Sequence, residues 1–253
     1  MRVIVFGNSD TRGAVVPGPT WPELARRSLE ALTGPVELVD RNFVPLGARA
    51  ASVAARLAEE ARGDVLLLPL SEYAFWAETV ELQVRRLFGT RAARLFKRAE
   101  QRFVRAAARG GPAGAATDSV ARGLARRVIG TRAPASVAEV IGTYSEVFRR
   151  LARLEELEVV VIAYPAPPAA AHWPRRLRAG RERFIAELRS EADRLRFAWV
   201  DGDAVATGAG LGPHETYAPD GVHIGEPMHA PLARAVLAAI RPSLRAALNE
   251  RGA

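Results

Sequence analysis

Cysteine is absent from this chain, and lysine occurs once, as Lys97. The first absence excludes disulfides, thiolate metal ligands and a cysteine nucleophile, while leaving the compartment open. Long hydrophobic runs are missing too: "DVLLLPL" and "VVVIAYPAPPAAA" are too short or too broken by proline to span a bilayer. Strand-like sequence begins at Arg2 with no charged-then-apolar leader, so the expectation is a cytoplasmic protein without a signal peptide. Histidine is scarce, with four in the chain. His214 and His229, with Asp220, match no zinc-binding spacing, so no metal is expected, and the chemistry read below requires no organic cofactor. The glycines of "GNSDTRG" lack the lysine of a phosphate-binding loop and the full dinucleotide pattern.

What is present is a globular composition. Apolar residues make up 49% of 253 positions, enough for one well-filled domain or a domain with a sizeable insertion. Short apolar runs at 2–7, 35–40, 64–70, 158–163 and 197–201 read as strands without outward alternation, the pattern of strands covered on both faces. Helical stretches at about 21–33, 49–62, 175–195 and 228–249 alternate with them, and 202–226 reads as irregular. Strand–helix alternation predicts a three-layer α/β/α domain with a flavodoxin-like parallel sheet of about five strands. Between the third and fourth strands lies more helix than one crossover needs. It is broken by "RGGPAGAATD" into helices at 76–109, 117–129 and 135–156. The whole chain, 1–253, is therefore expected to be one domain carrying a helical insertion at about 84–134.

The positive charge sits in that insertion. Residues 84–134 hold twelve arginines and Lys97 against Glu100 and Asp118, a net +11, so a chain of net charge +8 leaves −3 for everything else. Arg91, Arg94, Arg98, Arg102, Arg105 and Arg109 recur at steps of three and four, forming one helical stripe. Like charges so spaced repel by about 0.2–0.5 kcal/mol per pair. Such a stripe is either a solvated face in an arginine-rich chain or a docking surface, centred on Arg94, Arg98, Arg102 and Arg105, for an acidic or phosphate-bearing partner.

Two short segments at opposite ends carry the candidate chemistry. The first strand ends in "FGNSDTRG", which puts the hydroxyl of Ser9 at the carboxyl edge of the sheet, where α/β proteins collect their functional groups. "YAPDGVHIGEP" sets Asp220 three residues before His223 on a Pro/Gly-rich loop. At that spacing a carboxylate reaches the imidazole Nδ1–H and leaves Nε2 as a base, which a serine hydroxyl needs to be nucleophilic at neutral pH. Ser9 alone is an ordinary turn residue; the distant "DGVH" raises it to a nucleophile candidate. Tyr73, Phe75 and Trp76 after the third strand read equally as helix-to-sheet packing or as an aromatic wall to a substrate pocket. His214 in "LGPHETY" either lines the pocket or sits on the loop, and His229, at the start of the last helix, reads as structural.

At these residues the chain resembles the SGNH hydrolases, or GDSL esterase/lipase family. "FGNSDTRG" is similar to the family's first block, "VPLGARA" to the second, "VVVIAYPAPP" to the fourth strand and its proline-rich exit, and "DGVH" to the last block. The resemblance covers roughly 1–72 and 135–250 and leaves the basic insertion outside. It implies a triad of Ser9, Asp220 and His223, with the Ser9 and Gly47 amides as oxyanion donors and an acyl ester as the substrate. The chain departs from the pattern twice. Asn8 stands where the first block usually has Asp, and "PLSEYAFW" replaces the third block's Gly-X-Asn-Asp, so the oxyanion-binding Asn is missing. Ser71 could donate in its place, whereas an ionised Glu72 could not. Loss of one such donor lowers the rate about 10²–10³-fold. The expectation is a serine-dependent esterase working through an acyl-enzyme. Two alternatives remain beside it: transfer from a carrier-bound acyl donor, and a non-catalytic binding module with the basic helix as its working surface.

Overall fold

The computed structural model of the protein describes residues 1–7, 11–12, 17–43, 46, 49–76, 80–109, 128, 133–154 and 156–251; the side chains of 76, 82, 100–109, 169 and 241–251 lie outside that description. Among the described residues the elements are β1 (Arg2–Gly7), α1 (Trp21–Thr33), β2 (Glu37–Asn42), α2 (Ala50–Ala61), β3 (Val65–Pro69), α3 (Tyr73–Trp76), α4 (Val80–Arg109), α5 (Val137–Leu151), β4 (Glu158–Ala163), a 3₁₀ turn (Pro168–His172), α6 (Arg175–Arg194), β5 (Ala198–Asp201), α7 (Gly202–Gly208), α8 (Pro213–Thr216) and α9 (Glu226–Arg251). Contacts divide the chain into two compact units, Met1–Ser71 with Val137–Ala253, and Glu72–Ser136.

In the first unit all five strands run parallel in the order β2-β1-β3-β4-β5, the flavodoxin-like arrangement. β1, β3 and β4 are central and almost wholly buried, which explains their unbroken apolar sequences. β2 is an edge strand, and Glu37, Asp40 and Arg41 keep it polar. Alternate residues point to opposite faces. Val3, Val5, Val65, Leu67, Val160 and Ile162 share one apolar cluster with Trp21, Ala25 and Leu29 of α1 and Met228, Leu232, Val236 and Ile240 of α9. Behind the other face, α2 packs on α5 and α5 on α6. There the fully buried ring of Tyr144 meets Phe148 and Phe184 edge-on at 6.3 and 5.9 Å. Helices on both faces complete the three layers.

The departures from the sequence reading have local causes. β2 begins at Glu37 rather than at residue 35, because Pro35 has no N–H for the ladder; pairing starts where Glu37 N–H donates to the Met1 carbonyl at 3.0 Å. The stretch 202–226 is not wholly irregular. The Asp201 carboxylate accepts from Ala204 N–H at 3.1 Å and so caps α7, and α8 follows. α5 ends at Leu151, five residues short of the expected 156.

Within the second unit, the single helix expected over 76–109 is α3 and a separate α4, and α4 is itself interrupted at Gly89 (φ 82°, ψ 175°). Only glycine adopts that backbone without steric penalty, so the interruption falls at the one glycine of the segment. Glu81 and Lys97 pair at 3.2 Å across it. The helix expected at 117–129 lies outside the described residues except for Val128. Among the described residues no helix is long and apolar enough to cross a membrane.

Candidate active site

The carboxyl edge of the parallel sheet gathers the exits of β1, β3 and β4. The exit of β1 is compact. A Cβ on Gly7 would overlap the Thr11 side chain and the Asp40 carboxylate, so only glycine fits where the strand ends. The Gly7 carbonyl accepts from Phe43 N–H at 3.3 Å, and Arg12 Nε pairs with Asp40 at 2.6 Å. The Thr20 hydroxyl donates to the Thr11 carbonyl at 2.9 Å. Gly7 and Thr11 thus bracket Ser9, which lies outside the described residues, as does Gly47.

The exit of β3 is held by α5. Ser71 N–H donates to the Tyr144 hydroxyl at 2.7 Å, and that hydroxyl donates to the Pro69 carbonyl at 3.4 Å. The main-chain donor of Ser71 is therefore engaged inside the fold, and its half-buried side chain is the remaining hydroxyl donor at this position. The exit of β4 is fixed from two sides. Arg181 bridges the Asp203 carboxylate at 3.0 Å and the Tyr164 carbonyl at 2.9 Å, while Asp203 accepts from Ala166 N–H at 2.7 Å.

The loop between α8 and α9 sits on that exit, because the Tyr217 hydroxyl donates to the Pro165 carbonyl. Tyr217 and Ile224 form an antiparallel bridge, and Ala218 N–H donates to the His223 carbonyl at 2.7 Å. The chain reverses between them through Gly221, at φ 66°. Asp220 organises the reversal: Oδ1 accepts from the amides of Val222 and His223 at 2.9 and 3.0 Å, an Asx turn. Its Oδ2 lies 2.6 Å from His223 Nδ1. Burial alone would raise the Asp220 pKa, but the His223 amide, the His223 ring and the Val222 amide outweigh it and pull the value down to about 2. Asp220 is therefore a carboxylate at neutral pH. It fixes the Nδ1–H tautomer of His223, leaving the lone pair on Nε2.

The structure thus brings Asp220 and His223 together and ties their loop to the sheet edge that β1 also reaches. Other candidates are more scattered. His214 is exposed on α8, and Tyr73 is about half exposed at 49%. Trp76 lies in α3 with its side chain outside the description. Arg94 and Arg98 are exposed on α4, and the side chains of Arg102 and Arg105 lie outside the description. Among the described residues no group of three or more His, Cys, Asp or Glu is arranged to hold a metal. Tyr144 and Tyr217, which anchor two of the strand exits, carry no local sequence signal; each acts across more than fifty residues.

A three-layer α/β/α sheet of this order, with an Asp–His pair on the loop before the last helix, has the fold of the SGNH hydrolases. No family model and no curated protein matches the chain. Solved structures do, at low identity. TesA matches with a TM-score of 0.56 at 14% identity, over 96% of this chain and 99% of its own. The lipase/acylhydrolase from Enterococcus faecalis matches at 0.58 and 11%, over 96% of each chain. The psychrotrophic esterase EstA from Pseudoalteromonas sp., in a structure inhibited by monoethylphosphonate, matches at 0.54 and 10%, over 96% of this chain and 98% of its own.

Proposed function

We propose that the protein hydrolyses acyl esters through a covalent acyl-enzyme. Ser9 Oγ attacks the ester carbonyl carbon while His223 Nε2 takes its proton. The tetrahedral intermediate collapses: the bond to the leaving alkoxide breaks, and the imidazolium returns the proton to that oxygen. Water, deprotonated by the same Nε2, then attacks the Ser9 ester; the carboxylic acid leaves and the proton returns to Oγ. Asp220 remains ionised throughout, holding the ring and stabilising its charged form. The amides of Ser9 and Gly47 are the proposed oxyanion donors, and Ser71 Oγ is the side-chain donor in place of the missing Asn.

The observation that carries this reading is the 2.6 Å contact between Asp220 and His223 on a loop bonded to the exit of β4. The similarity in fold to an esterase, a lipase/acylhydrolase and TesA supports it, and the monoethylphosphonate inhibition of EstA suggests the probe. A fluorophosphonate should add covalently to the wild-type protein, with the adduct mapped by mass spectrometry to the peptide holding Ser9. Ser9→Ala should take up none and hydrolyse no p-nitrophenyl ester. A wild-type protein that neither labels nor hydrolyses short or long acyl esters would sink the proposal and favour the binding module.

A further inference from the structure

His229 lies six residues beyond His223, in the first turn of α9, and is only 3% exposed. Its Nδ1 accepts from the backbone N–H of Trp21 at 3.1 Å, a bond between residues 208 apart in sequence. Trp21 is the first residue of α1, and Thr20, the residue before it, makes no side-chain cap to that helix. The first amide of a helix has no partner within it, so His229 supplies one from the other end of the chain. Thr20 turns its hydroxyl backwards instead, to the Thr11 carbonyl at 2.9 Å. Buried Thr11 packs so closely on Gly7 that no side chain fits there.

The ring chemistry narrows the reason for a histidine. A nitrogen that accepts from an amide bears no proton, so the neutral ring carries its hydrogen on Nε2. That nitrogen is buried and meets no acceptor among the described residues. An apolar residue would fill the site without leaving such a group, so packing does not account for the imidazole; the acceptor at Nδ1 does. A second tie runs in parallel. Trp21 Nε1–H donates to the Tyr164 hydroxyl at 3.3 Å, at the β4 exit where Tyr217 anchors the Asp220–His223 loop.

We infer that His229 is a positioning residue: through Trp21, Thr20 and Thr11 it holds the exit of β1, whose described residues Gly7 and Thr11 flank Ser9 in sequence, in register with the helix that follows the Asp220–His223 loop. The inference rests on the triad proposed above. Removing the acceptor lets the start of α1 shift relative to α9, and a displacement of about 1 Å far from the chemistry costs on the order of 10² in rate.

The experiment compares His229→Leu with His229→Asn, whose Oδ1 stands close to where Nδ1 stood. His229→Leu should lower kcat for a p-nitrophenyl ester on the order of 10²-fold with KM little changed, and slow fluorophosphonate labelling in step. His229→Asn should recover most of that loss. Where His229→Leu does not fold, His229→Gln replaces it, since its oxygen sits one bond too far out. Backbone amide exchange gives a reading independent of catalysis: Trp21 and Thr11 should exchange faster in the Leu variant and at the wild-type rate in the Asn variant. A folded Leu variant with wild-type kcat overturns the inference, and so does an Asn variant no better than Leu. If the wild-type protein neither labels nor hydrolyses esters, the esterase reading fails on its own. The clamp is then judged by exchange alone, where unchanged rates overturn it.

Discussion

Asp220→Asn is the substitution for which the geometry gives the sharpest expectation. Oδ1 of Asp220 accepts from two amides at 2.9 and 3.0 Å, while Oδ2 faces His223 Nδ1 at 2.6 Å. Asparagine offers one oxygen and one NH₂. With its oxygen in the Oδ1 position, both amide bonds survive, the turn is kept and stability changes by about 1 kcal/mol or less. The NH₂ then meets Nδ1 and can only donate, so Nδ1 must accept and the proton of the neutral ring moves to Nε2. The base has lost its lone pair. The opposite amide orientation points the NH₂ at two backbone N–H groups and is disfavoured. The same tautomer reversal in serine proteases lowers kcat by about 10⁴, which at 1.36 kcal/mol per decade is about 5.5 kcal/mol of transition-state stabilisation. The assay is kcat and KM on a short-chain p-nitrophenyl ester, thermal melting, and long-range proton–nitrogen spectra of His223, which should move from the Nδ1–H to the Nε2–H form. Asp220→Ala separates the two roles: it leaves two amides to solvent in an exposed loop, at about 0.5–1.5 kcal/mol of stability, in addition to the catalytic loss. An Asn variant that melts like the wild type and keeps kcat within about tenfold refutes the reasoning, because Asp220 would then not set the tautomer of a working base.

Gly7→Ala should lower stability by about 1–3 kcal/mol, since its Cβ meets a β-branched, buried Thr11 and an Asp40 held by Arg12; chemical denaturation measures it. Tyr144→Phe keeps the packing but leaves Ser71 N–H and the Pro69 carbonyl without their shared hydroxyl, so urea unfolding should show a loss of about 1–3 kcal/mol. Burial pushes the His229 pKa below its ordinary 6.5, against an opposing pull from Glu226. The unfolded chain therefore binds a proton that the folded one resists: this contribution to stability is complete above pH 6.5 and is lost as the pH falls from there through the folded-state value. His229→Asn should accordingly flatten the fall in melting temperature on the acid side of pH 6.5, and an unchanged slope would show that the ring does not titrate there.

Much of the architecture was legible because it is written in local patterns. Unbroken apolar runs gave β1 and β4 at 2–7 and 158–163, and the helix at 21–33 lies where its periodicity put it. Errors arose where one residue's backbone chemistry overrode the pattern: Pro35 delayed β2, and Gly89 divided a helix whose apolar spacing runs on through it. The cap of α7 was readable in "DGDAVATG" but was hidden among glycines that suggest loop. Asp220 and His223 were legible for the same reason as β1, since a carboxylate and an imidazole three residues apart across a glycine turn need nothing distant to meet.

By itself, then, the amino-acid sequence determined the five strands and the long helices that alternate with them, their order, and the one side-chain pair that a single turn can close. The flavodoxin-like sheet was already an expectation from strand–helix alternation; only the tertiary structure decided how α1 and α9 on one face and α2, α5 and α6 on the other bury their apolar stripes against it. It also decided which polar groups satisfy one another at the strand exits: Tyr144 with Ser71, Tyr217 with Pro165, His229 with Trp21. The physical reason is the same in each case. A buried hydrogen bond is demanded by burial rather than by spacing, and burial exists only once segments distant in the chain have packed together.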